Sequence, residues 1–176
     1  MSGIHAPPPN AGPDALFAQV YDRLKAMAGR RLSGQERGTL DTTAVVHELF
    51  LWINKGDGLQ FERPEQFFAY AARAMRHLLA NRARDKQRLK AGGDWMRVTL
   101  TGSDQRLALD SAEQALAMED ALEKLEQADA RAAQVVELLV FAGLDQERAA
   151  QVLGVSRITV ARDWRFAKAF LRDALE

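Results

Sequence analysis

Residues 145–171 read DQERAAQVLGVSRITVARDWRFAKAFL. Gly154 stands between two helical patterns, and the second carries Arg157, Arg162, Arg165 and Lys168. Asp145 suits the N-cap of the first pattern, with Gln146 and Glu147 at its positive dipole end. Gly154 then ends that helix, where a positive φ is usually required. Ser156 is placed to cap the next helix. Ala149 and Ala150 are small enough for two helices to cross steeply at close approach. Val155 and Val160 fill the angle between them. An alanine, a glycine four residues on and an apolar residue six further (Ala150, Gly154, Val160) spell a helix–turn–helix.

The second helix sorts by angle. At 100° per residue from Arg157, Val160, Trp164, Ala167 and Leu171 fall between about 280° and 340°, a core stripe. Ala161, Arg162, Arg165, Ala169 and Arg172 fall between about 40° and 140°. Small residues there let the helix sink into a major groove, and arginines reach phosphates or guanine edges. Ser156, Arg157 and Thr159 at the N-terminal end suit phosphate contacts. An ordinary amphipathic helix with a solvated basic face is the competing reading.

The rest of the chain sets that module in context. It has 176 residues, 24 basic and 24 acidic, so the net charge is zero. The charge is nevertheless segregated. Residues 71–90 hold seven Arg or Lys and one acid, Asp85, whereas residues 104–129 hold eight acids against Arg106 and Lys124. An apolar fraction of 47% supports a globular core, and the absence of cysteine excludes disulfides and thiolate metal sites. No apolar run is long enough for a membrane span, so the expected location is the cytoplasm.

Residues 1–13 are rich in Pro, Gly and Ala and are expected to be a disordered tail. Helices are expected over 14–31, 41–53, 64–90, 112–127 and 130–142. Residues 91–111, with two adjacent glycines and no helical period, are expected to be an extended interdomain linker. Within it only RVTL (97–100) suggests a short extended piece. The predicted class is therefore all-α: two small helical domains, 14–90 and 112–176, joined by a flexible linker.

The helix over 64–90 carries a second basic surface. Measured from Arg73, the residues Arg76, His77, Arg84 and Arg88 lie within about 60°, and Phe67, Ala71, Met75, Leu78 and Leu79 occupy the opposite side. Arg82 falls on the apolar side, where it either snorkels or marks the end of the core. Such a ridge is long enough to follow several phosphates of a strand. A solvated face balanced by the acids of 104–129 is the alternative.

These segments resemble a bacterial RNA polymerase sigma factor of the extracytoplasmic-function (group IV) type, which has only the σ2 and σ4 domains. The likeness runs from about residue 14 to 175. DTTAVVHELFLWI (41–53) resembles region 2.2, FFAYAARAMRHLLANRARDKQR (67–88) resembles regions 2.3–2.4, and GLDQERAAQVLGVSRITVARDWRFAKAFLRDAL (143–175) resembles region 4.2. The resemblance implies a promoter-specificity subunit that works with core RNA polymerase and contributes no chemistry of its own. On promoter DNA, σ4 would place its recognition helix on the −35 element. The expected contacts there are Ser156, Arg157, Thr159, Ala161, Arg162 and Arg165, with Lys168 and Arg172 on phosphates. The resemblance puts −10 contacts on Arg73, Arg76, His77, Asn81, Arg84 and Arg88. Ala74 stands where related factors carry a polar side chain, and Arg73, Arg76 and His77 are the expected substitutes.

Core polymerase is expected on the outer face of helix 41–53, through Asp41, Ala44, His47, Glu48 and Leu51. Related factors carry more acid there. Thr42 and Thr43 are therefore candidate phosphorylation sites, since a phosphate would add about −2 of charge. A Ser/Thr kinase or an anti-sigma factor is the expected regulator.

The remaining candidates read blandly. His5, His47 and His77 show no metal-ligand spacing, and no metal or cofactor is expected. Phe166 and Phe170 lie off the core stripe and are expected to pack on helix 130–142. Trp95 either stacks on a base or packs on the first domain. No phosphate loop or carboxylate pair indicates an enzyme. The alternative function is a self-sufficient dimeric helix–turn–helix regulator, which would bind duplex DNA tightly without a polymerase.

Overall fold

A proline, harmless where a helix has no use for an N–H, opens the first long helix, α1 (Pro64–Arg88). Glu65 in its first turn and Lys86 and Arg88 in its last complement the helix dipole. The computed structural model describes residues 51, 55, 64–88, 98–101, 106–109 and 111–176. The expected tail, the helix over 14–31 and all but one residue of the helix over 41–53 lie outside the described residues. Leu51 is helical, and its carbonyl accepts from the Lys55 N–H at 3.1 Å.

Strands β1 (Val98–Thr101) and β2 (Arg106–Leu109) follow, paired antiparallel with Val98 opposite Leu109 and Thr101 opposite Arg106. The stretch expected to be an extended linker thus contains a two-stranded ribbon. The intervening Gly-Ser-Asp-Gln is turn chemistry, but four-residue strands are too short for a period of two to stand out. Every other described element is helical, as the predicted class requires.

Four helices make up the C-terminal part: α2 (Ala112–Ala128), α3 (Ala130–Val136), α4 (Gln146–Leu153) and α5 (Arg157–Leu175). Each has an oxygen-bearing side chain at its N-cap. Ser111 accepts from Gln114 N–H at 3.2 Å, and Asp129 from Ala132 N–H at 3.0 Å. Asp145 accepts from Arg148 N–H at 2.8 Å, and Ser156 from Thr159 N–H at 3.2 Å. These caps set four helix starts from purely local chemistry. The helix expected over 130–142 changes character at residue 137. Glu137–Phe141 form a π-helical turn, in which Ala142 N–H reaches back to Glu137 C=O at 2.9 Å.

The helix–turn–helix is built as its spacing requires. Gly154 has φ 65° and ψ 31°, the left-handed region. Its N–H bonds to Gln151 C=O at 3.3 Å, and Val155 N–H bonds to Ala150 C=O at 3.1 Å. That pair of bonds is a Schellman ending, which closes α4 and turns the chain into α5.

One hydrophobic core runs through the described helices. It joins Phe67, Met75 and Leu78 of α1 to Leu122 and Leu125 of α2, Leu138 of the π-turn, Ala149 of α4, and Val160, Ala167 and Leu171 of α5. The last three are three of the four residues in the predicted stripe, and the fourth, Trp164, is half-buried against the same core. Helix α1 therefore shares its core with the C-terminal helices.

Candidate nucleic-acid interface

Helix α5 presents the first candidate surface. Ser156, Arg157, Arg162, Arg165 and Arg172 are exposed, and Thr159, Ala161 and Lys168 are half-buried. All eight predicted residues lie on one helix and its cap; Ala161, Arg162, Arg165 and Arg172 occupy the side away from Val160, Ala167 and Leu171, whereas Arg157, Thr159 and Lys168 flank that stripe and Ser156 caps the helix. Arg162 lies 3.8 Å from Asp163 yet keeps 71% of its side chain exposed, so its guanidinium stays accessible. The Ser156 hydroxyl is committed to the cap and lies 3.0 Å from Thr159 Oγ1. Lys168 places its ammonium 5.4 Å from the Trp164 ring centroid, a cation–π contact that steadies it toward the end of the face.

Two residues of α5 escaped the sequence reading. Asp163 is buried, and Arg131 of α3 grips it with Nε to Oδ2 at 2.6 Å and Nη2 to Oδ1 at 3.3 Å. This fork ties the helix to the scaffold beneath it, and Asp163 holds the Arg131 guanidinium above its ordinary pKa. An acid beside the apolar stripe of a cationic helix was the available signal. Ile158, in the first turn, is 82% exposed. Phe166 is also exposed and lies 6.0 Å from the half-buried Phe170, so only Phe170 of the expected pair is packed on the core.

Helix α1 presents the second surface, with one change from expectation. Arg73, Asn81, Arg84 and Arg88 are exposed and His77 is half-buried. Arg84 donates to Asn81 Oδ1 at 2.9 Å, and Arg73 donates to Glu126 Oε1 at 2.7 Å. Arg76 is 1% exposed and does not join that ridge. Its Nε donates to Glu119 Oε2 at 2.9 Å and its Nη1 to Glu137 Oε1 at 2.7 Å, with Glu126 Oε2 at 3.5 Å. At about 300° on the helix it sits on the edge of the ridge that α2 and the π-turn cover. Ala74 is buried as well.

The cluster divides its two buried carboxylates. Burial pushes Glu119 up, but the hydrogen bond from Arg76 and the nearby His77 imidazole (Nδ1 3.3 Å from Oε1) outweigh it and hold Glu119 below the usual carboxylate range. Burial of Glu137 wins over the same arginine, and its pKa is raised. Arg76 loses by desolvation and gains more from the two carboxylates, so it stays charged.

Among the described residues, no group of three or more His, Asp or Glu side chains is placed to hold a metal ion. No described helix is long and apolar enough to cross a membrane. Of the residues expected to contact core polymerase, only Leu51 is described, and it is 49% exposed. Asp41, Ala44, His47 and Glu48, the pair Thr42 and Thr43, and Trp95 lie outside the described residues.

A family model for the ECF sigma factor matches residues 9–176. The chain belongs to the ECF sigma factor family. It is therefore a promoter-specificity subunit of RNA polymerase, a DNA-binding factor of transcription initiation whose partners are core polymerase and promoter DNA. That match spans both halves of the chain, as a likeness confined to the helix–turn–helix would not. Comparisons with curated proteins and with solved structures found no match.

Proposed function

We propose that this ECF sigma factor reads the −35 element with α5 and follows the −10 strand with the exposed ridge of α1, while core polymerase supplies all the chemistry. The observation that carries the proposal is the exposed cationic face of α5, seated on a Schellman-terminated helix–turn–helix with its opposite face in the core. Arg162 and Arg165 are the candidates for guanine edges, where a bidentate contact discriminates by about 1–3 kcal/mol. Arg157, Thr159, Lys168 and Arg172 serve phosphates, and the N-terminus of α5 at Ser156 adds its partial positive charge.

On α1 a single strand would meet Arg73, His77, Asn81, Arg84 and Arg88 first. Arg76 becomes available to it only where the contact with Glu119 and Glu137 opens. Core polymerase is assigned to Asp41, Ala44, His47, Glu48 and Leu51. A Ser/Thr kinase acting on Thr42 or Thr43 would add the acid this segment lacks. Aspartate at both positions should then strengthen core binding, and an unchanged affinity would sink that part.

The deciding experiment is in vitro transcription by core polymerase plus this chain on a pool of genomic fragments. Specific initiation is expected only with both components present. Arg162→Ala and Arg165→Ala should alter −35 preference while core binding persists. Tight sequence-specific duplex binding by the chain alone, with no effect on initiation, would favour a self-sufficient regulator instead.

A further inference from the structure

We propose that Ile158 reads a thymine in the −35 duplex through apolar contact with the C5-methyl group. The inference rests on α5 being the −35 reader. At 82% exposure, Ile158 is the most exposed large hydrophobic side chain among the described residues, ahead of Leu51 at 49% and Phe166 at 44%. Its place on the helix explains the exposure. At 100° per residue from Arg157 it lies at about 100°, inside the arc defined by Ala161, Arg172, Arg165, Ala169 and Arg162. It is also in the first turn of α5, and the N-terminal residues of a recognition helix are those that reach base edges.

The chemistry selects one base. In the major groove only thymine offers a methyl group; cytosine, adenine and guanine offer donors and acceptors that an isoleucine cannot satisfy. A β-branched side chain in a helix is held near one χ1 rotamer, so Ile158 presents its methyl groups with little freedom to lose on contact. Its neighbours fix the setting. Arg162, one turn on, and Arg165, two turns on, are exposed on the same face. An apolar group ringed by cations fits the floor of a groove walled by phosphates. The expected −35 element therefore holds a thymine within a base step or two of the guanines assigned to the arginines.

The test pairs a change in the protein with the removal of one methyl group from the DNA. A promoter taken from the fragment pool is rebuilt with each −35 thymine replaced singly by deoxyuridine, and initiation by core polymerase plus this chain is measured on each. Wild type should lose about fourfold at one thymine, the worth of one buried methyl group. Ile158→Ala should start lower and be indifferent to the same replacement, and Ile158→Val should remain sensitive. Because Ile158 is exposed, neither variant disturbs the core. Uracil tolerated by wild type at every position, an equal loss in Ile158→Ala, or a −35 element with no thymine would each overturn the assignment. Arg162→Ala separates the two levels. If that variant loses −35 dependence while uracil is tolerated, the Ile158 reading alone fails. If it retains full −35 dependence, the reading of α5 fails.

Discussion

Gly154 owes its identity to backbone conformation alone. Beyond Gly154 itself and its neighbours along the chain, nothing lies within 4 Å of where a Cβ would stand, so space does not exclude a side chain, but φ of +65° does. Gly154→Ala should therefore lower stability by about 1–2 kcal/mol in urea denaturation, and Gly154→Asn by less. Side-chain chemistry decides matters at Glu119 and Glu137. The folded pKa of Glu119 is depressed, so its contribution is present above the unfolded value and is lost as pH falls through the folded one. Glu137 has the opposite sign. Its folded pKa is raised, so the ionised group costs stability above that value, and the cost disappears as pH falls through it. Arg73, Arg76, His77 and Glu126 face the same cluster, and all remain in either variant. In denaturation curves collected downward from neutral pH, Glu119→Gln should lose about 2 kcal/mol at neutral pH and flatten the limb below the ordinary carboxylate range. Glu137→Gln should cost less and flatten the limb above it.

Helix α5 works as an element because its two faces are anchored differently. Val160, Ala167 and Leu171 bury one side, and the Arg131–Asp163 fork pins its flank to α3. Asp163→Ala should lower the melting temperature and weaken promoter recognition together, because it frees the helix from its support. Arg165→Ala should leave the melting temperature where it is and change only recognition. On α1 the ridge acts through charge. Arg84→Ala should reduce the slope of log affinity against log salt by about 0.7 for one lost single-strand phosphate contact, with core binding unchanged. A slope equal to wild type would remove Arg84 from the strand path.

Across the whole molecule, charge segregation along the chain becomes contact between its halves. The acid-rich stretch over 104–129 supplies Glu119 and Glu126, the π-turn adds Glu137, and all three converge on Arg76 of the base-rich stretch. Breaking a buried pair from one side leaves charge stranded. Arg76→Met should therefore cost about 3–5 kcal/mol, and adding Glu119→Gln and Glu137→Gln to it should restore part of that loss. Additive losses in equilibrium denaturation would show the groups to be uncoupled. The caps at Asp145 and Ser156, the left-handed Gly154, the core stripe of α5 and its cationic face could all be read from the sequence, because each is set by residues within a turn or two. The β-ribbon was hidden by its brevity. By itself the sequence determined the helices, the turn between α4 and α5, and which residues share a face. Only the tertiary structure decided what covers each face. Arg76 meets its carboxylates 43 and 61 residues away, and helical periodicity gives the direction of a side chain without naming the neighbour it will find.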